Sequence, residues 1–204
     1  MALTEPLDLL STFPGWCTSF DLMARQEQSR HASGRTRTKD FGSPIWRAKF
    51  VSKTLSPNAL DRWRALLELA QVDQIAFTAW PLSRTRPAKH PGSAVLPTGT
   101  LFEIGANNKS ARFAGLTGIT LSVGDFVQLG ANLYRMAEPA TAVSGTTPLA
   151  ELRPHFWPGT VTGQVVKIYR PACLMVIDPG SVQSEADPRT GRGSISFSAI
   201  ESRG

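Results

Sequence analysis

The chain has 204 residues and a mass of 22.1 kDa, with 41% hydrophobic residues and a formal net charge of +6. That length suits one large domain or two small ones, and the apolar content excludes a globally disordered chain. Its apolar runs are only a few residues long, which excludes a membrane-spanning helix.

Fifteen Pro and 17 Gly, spread along the chain, predict many turns and short strands. The opening stretch, MALTEPLDLLSTFPGW, lacks a basic n-region and carries Glu5 and Asp8, so it reads as an arm and not as a secretory signal. WCTSFDLM (Trp16 to Met23) alternates as one strand. QEQSRHAS and GRTRTKDFG read as a hairpin turning at Ser33-Gly34. IWRAKFVSKT (Ile45 to Thr54) has a clear two-residue period, with Trp46, Ala48 and Phe50 on the face expected to be buried.

A helix over 57–70 follows in SPNALDRWRALLELA. Ser56 is placed as its N-cap, Pro57 at its first position and Asp61 near its positive end. Leu60, Trp63, Leu67 and Ala70 make its apolar stripe, with Leu66 beside it, and such a stripe must lie on something apolar, most simply a sheet. QIAFTAWP (Gln74 to Pro81) is the next strand, and PLSRTRPAKHPG reads as a linker.

Beyond the linker, TLFEIG, ARFAGL, ITLSV, FVQLG, LYRMA and TPLAEL predict a run of short strands without a helix, a small barrel or sandwich. RPHFWPGTVTG reads as a return linker. QVVKIYRP, ACLMVIDP and GSISFSAIE then resume longer strands that need a sheet to join. The expected layout is a domain built from residues 1–87 plus 160–204, with an all-β insert at 88–159.

The charge is uneven. Ten basic and three acidic residues lie between Ala24 and Arg64, a net +7, so the remainder nets −1. Arg25, Arg30, Arg35, Arg37 and Lys39 fall on the hairpin, where a solvated strand face and an interaction surface both fit.

No catalytic constellation emerges. The chain has no GxSxG, HExxH or P-loop spacing, and RTGRG reads as a loop tip. His31, His90 and His155 stand alone, which predicts no metal and no cofactor. Glu185 and Asp187 are the closest acids, but a Ser/Pro/Gly-rich loop is a poor frame for general acid–base work. Cys17 and Cys173 read as buried small hydrophobes, in keeping with a reducing compartment. Gly124 and Asp125 read as a turn whose carboxylate caps backbone N–H groups. Arg153 reads as a surface arginine, able to pair with an acid or to reach a neighbouring subunit. Trp80 and Trp157 flank the linkers and are expected at a seam between domains or subunits.

Several segments, in order, resemble the distal tail proteins of long-tailed bacteriophages, which join the tail tube to the tail-tip hub. LSPNALDRWRALLELA resembles the family's single helix, and QIAFTAWP the strand after it that ends in Pro. LSVGDFVQLGANLYRM is similar to the aGD-f-lg-lyrv signature, with Gly124 and Asp125 at its centre. GTTPLAELRPHFWPG matches a Pro-rich segment, here in the order Leu152-Arg153-Pro154, and GRGSISFSAIESRG the terminal SF--iE strand. The resemblance runs from about Phe13 to Arg203.

It implies a mainly β protein: a β-sandwich with one α-helix, carrying an inserted small OB-like β-barrel. It further implies a structural, non-enzymatic virion protein of the tail tip, assembled in the host cytoplasm as a homo-hexameric ring. The implied neighbours are the tail-tube protein and the hub or baseplate protein, with tape-measure or side-fibre proteins beside them. Neither a membrane nor a sequence-specific nucleic acid is among the expected partners.

Three other readings compete. The insert suits a carbohydrate- or receptor-binding module, since OB-like barrels bind oligosaccharides and oligonucleotides. Between Val95 and His155, however, four basic residues (Lys109, Arg112, Arg135, Arg153) face four acids (Glu103, Asp125, Glu138, Glu151), too neutral for a nucleic-acid groove. A related tail-completion or baseplate ring component fits the same pattern, and a hydrolase with a divergent site is the third.

Overall fold

A computed structural model describes residues 5–202. The domain ends at 1–4 and 203–204, including the Arg203 end of the resemblance, lie outside the described residues. The chain is mainly β with one helix.

The strands before the helix are β1 (Gly15–Met23), β2 (Gln26–Arg30), β3 (Thr36–Asp40) and β4 (Ile45–Ser52). Helix α1 spans Pro57–Val72, and β5 covers Phe77–Ala79. The insert holds β6 (Gly99–Ile104), β7 (Ser110–Ala114), β8 (Thr120–Leu121), β9 (Phe126–Leu129), β10 (Asn132–Met136), β11 (Ala140–Thr141), β12 (Ala150–Arg153) and β13 (Val165–Lys167). The chain returns with β14 (Cys173–Ile177), β15 (Gln183–Ala186) and β16 (Gly193–Glu201).

β1, β4, β16, β14 and β5 pair in that order as an antiparallel sheet, and β15 adds to β16 as the sixth strand. Both β4 and β16 alternate as their sequences predict. Trp46, Ala48, Phe50 and Ser52 of β4 point inward, as do Ile195, Phe197, Ala199 and Glu201 of β16. Phe50 stacks on Phe197 with centroids 5.0 Å apart. Phe13, from the segment before β1, meets Phe50, Phe197 and Trp63 edge-on. The second layer over this face is α1, through buried Leu60, Leu67 and Ala70 and half-buried Trp63 and Leu66. At the Trp46 end the layer is completed by Phe126 of β9 and Leu133 of β10, so the terminal domain is a single sheet covered by the helix and the barrel wall. Among the described residues no second sheet faces it, as one would in the expected β-sandwich.

Two details of α1 differ from the sequence reading. Ser56 holds the N-cap position with an extended backbone, but its side chain makes no capping hydrogen bond. Asp61 lies beyond the first turn and approaches Arg64 at 3.9 Å on the exposed side.

The insert closes as a six-stranded antiparallel barrel of OB-like size, in the order β10-β12-β7-β6-β13-β9. Leu101, Phe113, Val127, Tyr134, Leu152 and Val166 are among its fully buried side chains. The short ribbon β8–β11 stands beside it. Two expectations are corrected here. The strand in QVVKIYRP does not rejoin the terminal sheet: as β13 it pairs with β6 and β9 and closes the barrel. Ile168 is buried in the same core, so the insert extends past 159 and the chain leaves the barrel at Tyr169–Arg170. In addition, the QSEA of the expected loop is a strand, because β16 offers it a partner from Gly193 to Ser196. A Cβ at Gly193 would overlap the Glu185 carbonyl and lie 2.8 Å from Ala186 Cα, so only glycine permits this approach.

Phe197 packs against the rings of Phe13, Phe50 and Phe77, and it is 1% exposed. Phe197→Ala is expected to cost about 3–5 kcal/mol of stability, read as a lower urea midpoint with an unchanged slope.

Candidate interaction surfaces

The Gly-Asp turn does more than reverse the chain. Gly124 sits at φ +86°, a conformation that disfavours any side chain, and its N–H donates to the Met136 carbonyl at 2.9 Å. Asp125 follows, 0% exposed. Its Oδ2 accepts the Ser122 N–H at 2.7 Å, the capping bond the sequence predicts. Its Oδ1 accepts the Ala88 N–H at 3.0 Å and lies 3.6 Å from Arg84 Nη1. Ala88 and Arg84 both belong to the outgoing linker, so a buried carboxylate in the barrel buckles the linker down. A Cβ on Gly124 would stand 2.9 Å from the same Arg84 Nη1, so a side chain there would also push aside the guanidinium that faces Asp125.

The linker is otherwise ordered by its own polar groups. His90 Nε2 accepts the Thr120 N–H at 2.8 Å, so its proton is carried on Nδ1. The outgoing and returning chains meet where the Arg170 N–H donates to the Thr85 carbonyl at 2.8 Å. Gln128 of β9 accepts the Ala172 N–H at 3.0 Å and ties the return to the barrel wall.

The domain seam is carried by residues other than the two expected tryptophans. Trp46 of β4 is fully buried, and its Nε1 donates to the Leu133 carbonyl of β10 at 2.8 Å. Its ring packs against Phe20 and Phe126 at 5.5 Å each, and Arg135 of β10 stands over it at 5.7 Å. Of the predicted pair, Trp80 is buried in the sheet core at the linker exit, with Arg170 over its ring at 5.8 Å. Trp157 packs against the barrel core, its backbone N–H directed to the Tyr134 hydroxyl at 3.5 Å. The two are not brought together. Phe126, next to the Gly-Asp turn, is the barrel ring that packs on Trp46 at this seam.

The basic hairpin is a two-stranded extension of the edge pair β1–β4. Their register runs to Met23↔Ile45, and β2–β3 resumes it from Gln26↔Asp40 to Arg30↔Thr36. Every residue from Ala24 to Gly42 is exposed. Gly34 turns the tip at φ +79°. Cross-strand pairing sorts the five basic residues. Arg37 and Lys39 oppose Ser29 and Glu27 on one face, and alternation adds Arg25 and Arg35 to it. Arg30, opposite Thr36, is on the other face with Asp40, Gln26 and Gln28. Lys39 Nζ lies 5.1 Å from the Phe41 ring centroid.

The remaining candidates stay apart. His31 is exposed near the hairpin tip, and His155 is half-buried beside the barrel with its Nδ1 buried and without a hydrogen-bond partner. Glu185 lies on exposed β15, and Asp187 accepts the Arg189 N–H at 2.7 Å, a local turn bond. Arg153 pairs with Glu151 on its own strand at 2.8 Å. Among the described residues no group of three or more His, Cys, Asp or Glu is placed to hold a metal. Cys17 and Cys173 are both buried. Burial pushes the Cys17 thiol up to about 11 from its ordinary 9.0.

No protein-family model matches the chain, and neither does any curated protein.

Two predictions follow from this geometry. Asp125→Ala leaves two N–H groups without their acceptor, and is expected to cost about 1–3 kcal/mol and to speed amide exchange at Ala88 and Ser122. Cys17 should resist iodoacetamide in the native chain: at about pH 8 only about one thiol in a thousand is ionised, against rapid labelling after denaturation. The folded chain holds this proton to higher pH than the unfolded chain. The corresponding stability is complete below pH 9.0 and is lost as pH rises towards about 11.

Proposed function

We propose that this chain is a structural ring subunit of a bacteriophage tail tip, in the manner of the distal tail proteins its motifs resemble. Six copies would close a ring between the tail tube and the hub or baseplate. The observation that carries this reading is the bare ribbon β2–β3. An isolated two-stranded ribbon is only marginally stable in water, and every residue of this one is exposed. It prolongs the edge pair of a sheet and concentrates Arg25, Arg35, Arg37 and Lys39 on one face. Such an arm suits a heterologous contact in which each subunit reaches to the next and the rotation closes. The Gly-Asp turn and the linkers fit a structural part as well, since their polar groups are spent on fixing one domain against the other.

The test is the solution mass by light scattering at two concentrations, followed by imaging of any large species down its axis. A six-fold species supports the ring. Arg35→Glu, Arg37→Glu and Lys39→Glu together reverse the cationic face, lie far from any core residue, and should abolish that species with an unchanged urea midpoint. A wild-type chain that stays monomeric and fails to join purified tail tubes would overturn the reading. Unaltered assembly by the triple variant would remove the hairpin from the interface.

A further inference from the structure

The outgoing segment 81–98 and the returning segment 154–172, which includes β13, carry five basic residues (Arg84, Arg86, Lys89, Lys167, Arg170) and no acid. Arg84 is matched by Asp125. Among the described residues neither Arg86 nor Arg170 has a carboxylate partner; both instead stand over the half-exposed ring of Tyr169, 5.5 and 5.6 Å from its centroid. Arg86 is held in place by its Nε, which donates to the His90 carbonyl at 3.0 Å, and by its Nη2, which donates to the Ala94 carbonyl. Thr85, Ser93, Leu96 and these three residues line a groove of about 500 Å³ between the outgoing and returning chains.

Arg170 adds a second, independent observation. Its backbone is at φ 44°, a region that residues other than glycine and asparagine rarely enter, and the bond from its N–H to Thr85 holds it there. Strained residues of this kind cluster at ligand clamps.

We infer that this groove binds a compact phosphate ester. Guanidinium groups match phosphate oxygens in a forked geometry. Arg170, whose side chain makes no hydrogen bond among the described residues, can present that fork, and Arg86 adds its charge and the N–H groups that its bonds to His90 and Ala94 leave over. The hydroxyls of Thr85 and Ser93 supply further donors. The ring of Tyr169 and the side chain of Leu96 offer an apolar wall to the body that carries the phosphate. The volume is that of a small-ligand site, within about 300–1,000 Å³. A long polyanion is disfavoured, because the charge track ends at the groove: the barrel beyond it balances four basic residues against four acids.

Calorimetric titration of the full chain with glucose 6-phosphate, glucose and inorganic phosphate, at matched ionic strength, tests the site. Saturable binding of glucose 6-phosphate is expected, with none for glucose and about tenfold weaker binding of inorganic phosphate. Arg170→Asn suits the local backbone and removes no side-chain hydrogen bond. It should weaken the ester about ten- to a hundredfold, with the thermal midpoint lowered only slightly by loss of the guanidinium's contacts with Tyr169 and Trp80. Absence of saturable ester binding, or equal binding by the variant, would overturn the site. Equal affinity for inorganic phosphate would overturn the ester assignment. A monomer and a ring subunit would bind alike, so this result is separate from the test of the ring.

Discussion

Everything else in the molecule is arranged around one indole. Trp46 belongs to the terminal sheet, yet its Nε1–H is spent on a carbonyl of the barrel. Its backbone N–H donates to the buried carboxylate of Glu201 at 3.0 Å, the far end of β16. A buried indole N–H without an acceptor is costly, so the position of β10 is dictated by the sheet. Phe20 and Phe126 then fill the space on either side. The apolar core of one domain is thereby continued into the wall of the other, and the barrel is seated as a packed layer.

The Gly-Asp turn completes that seating by a different physical means. Trp46 contributes area and one directional bond. Asp125 contributes a charge removed from water and matched by two N–H donors and one guanidinium. Buried carboxylates are tolerated only with such partners, and the partners here lie on the linker. A segment rich in Pro and basic residues is therefore an ordered strap between two bodies.

Much of this was legible in the residues. The period-two runs around Trp46 and Phe197 and the stripe from Leu60 to Ala70 report burial directly, because side-chain direction follows backbone period. The turn at Asp125 was readable as a cap, but its grip on Ala88 was not, since nothing local encodes a bond across 37 residues. β13 was misassigned because VVK has the same alternation whichever sheet it joins; only the closure of the barrel decides. β15 was missed because QSEA has no apolar face to show, its pairing being imposed by β16. The hairpin was visible as a hairpin. Its division into a cationic and a neutral face came from the register, which one residue's slip would have inverted.

The place of β16 in the sheet has a consequence for how the chain is made. Of the described strands it is the last in chain order, yet it lies between β4 on one side and β14 and β15 on the other. A ribosome delivers it after all of its sheet partners. The barrel strands, from β6 to β13, are contiguous and can close while translation continues. The sheet cannot: until β16 emerges, the inner edge of β4 is unpaired and Phe50 lacks the ring it stacks on. Nascent chains of this protein thus carry a finished barrel beside an open sheet edge, and that edge is the part a chaperone would have to shield.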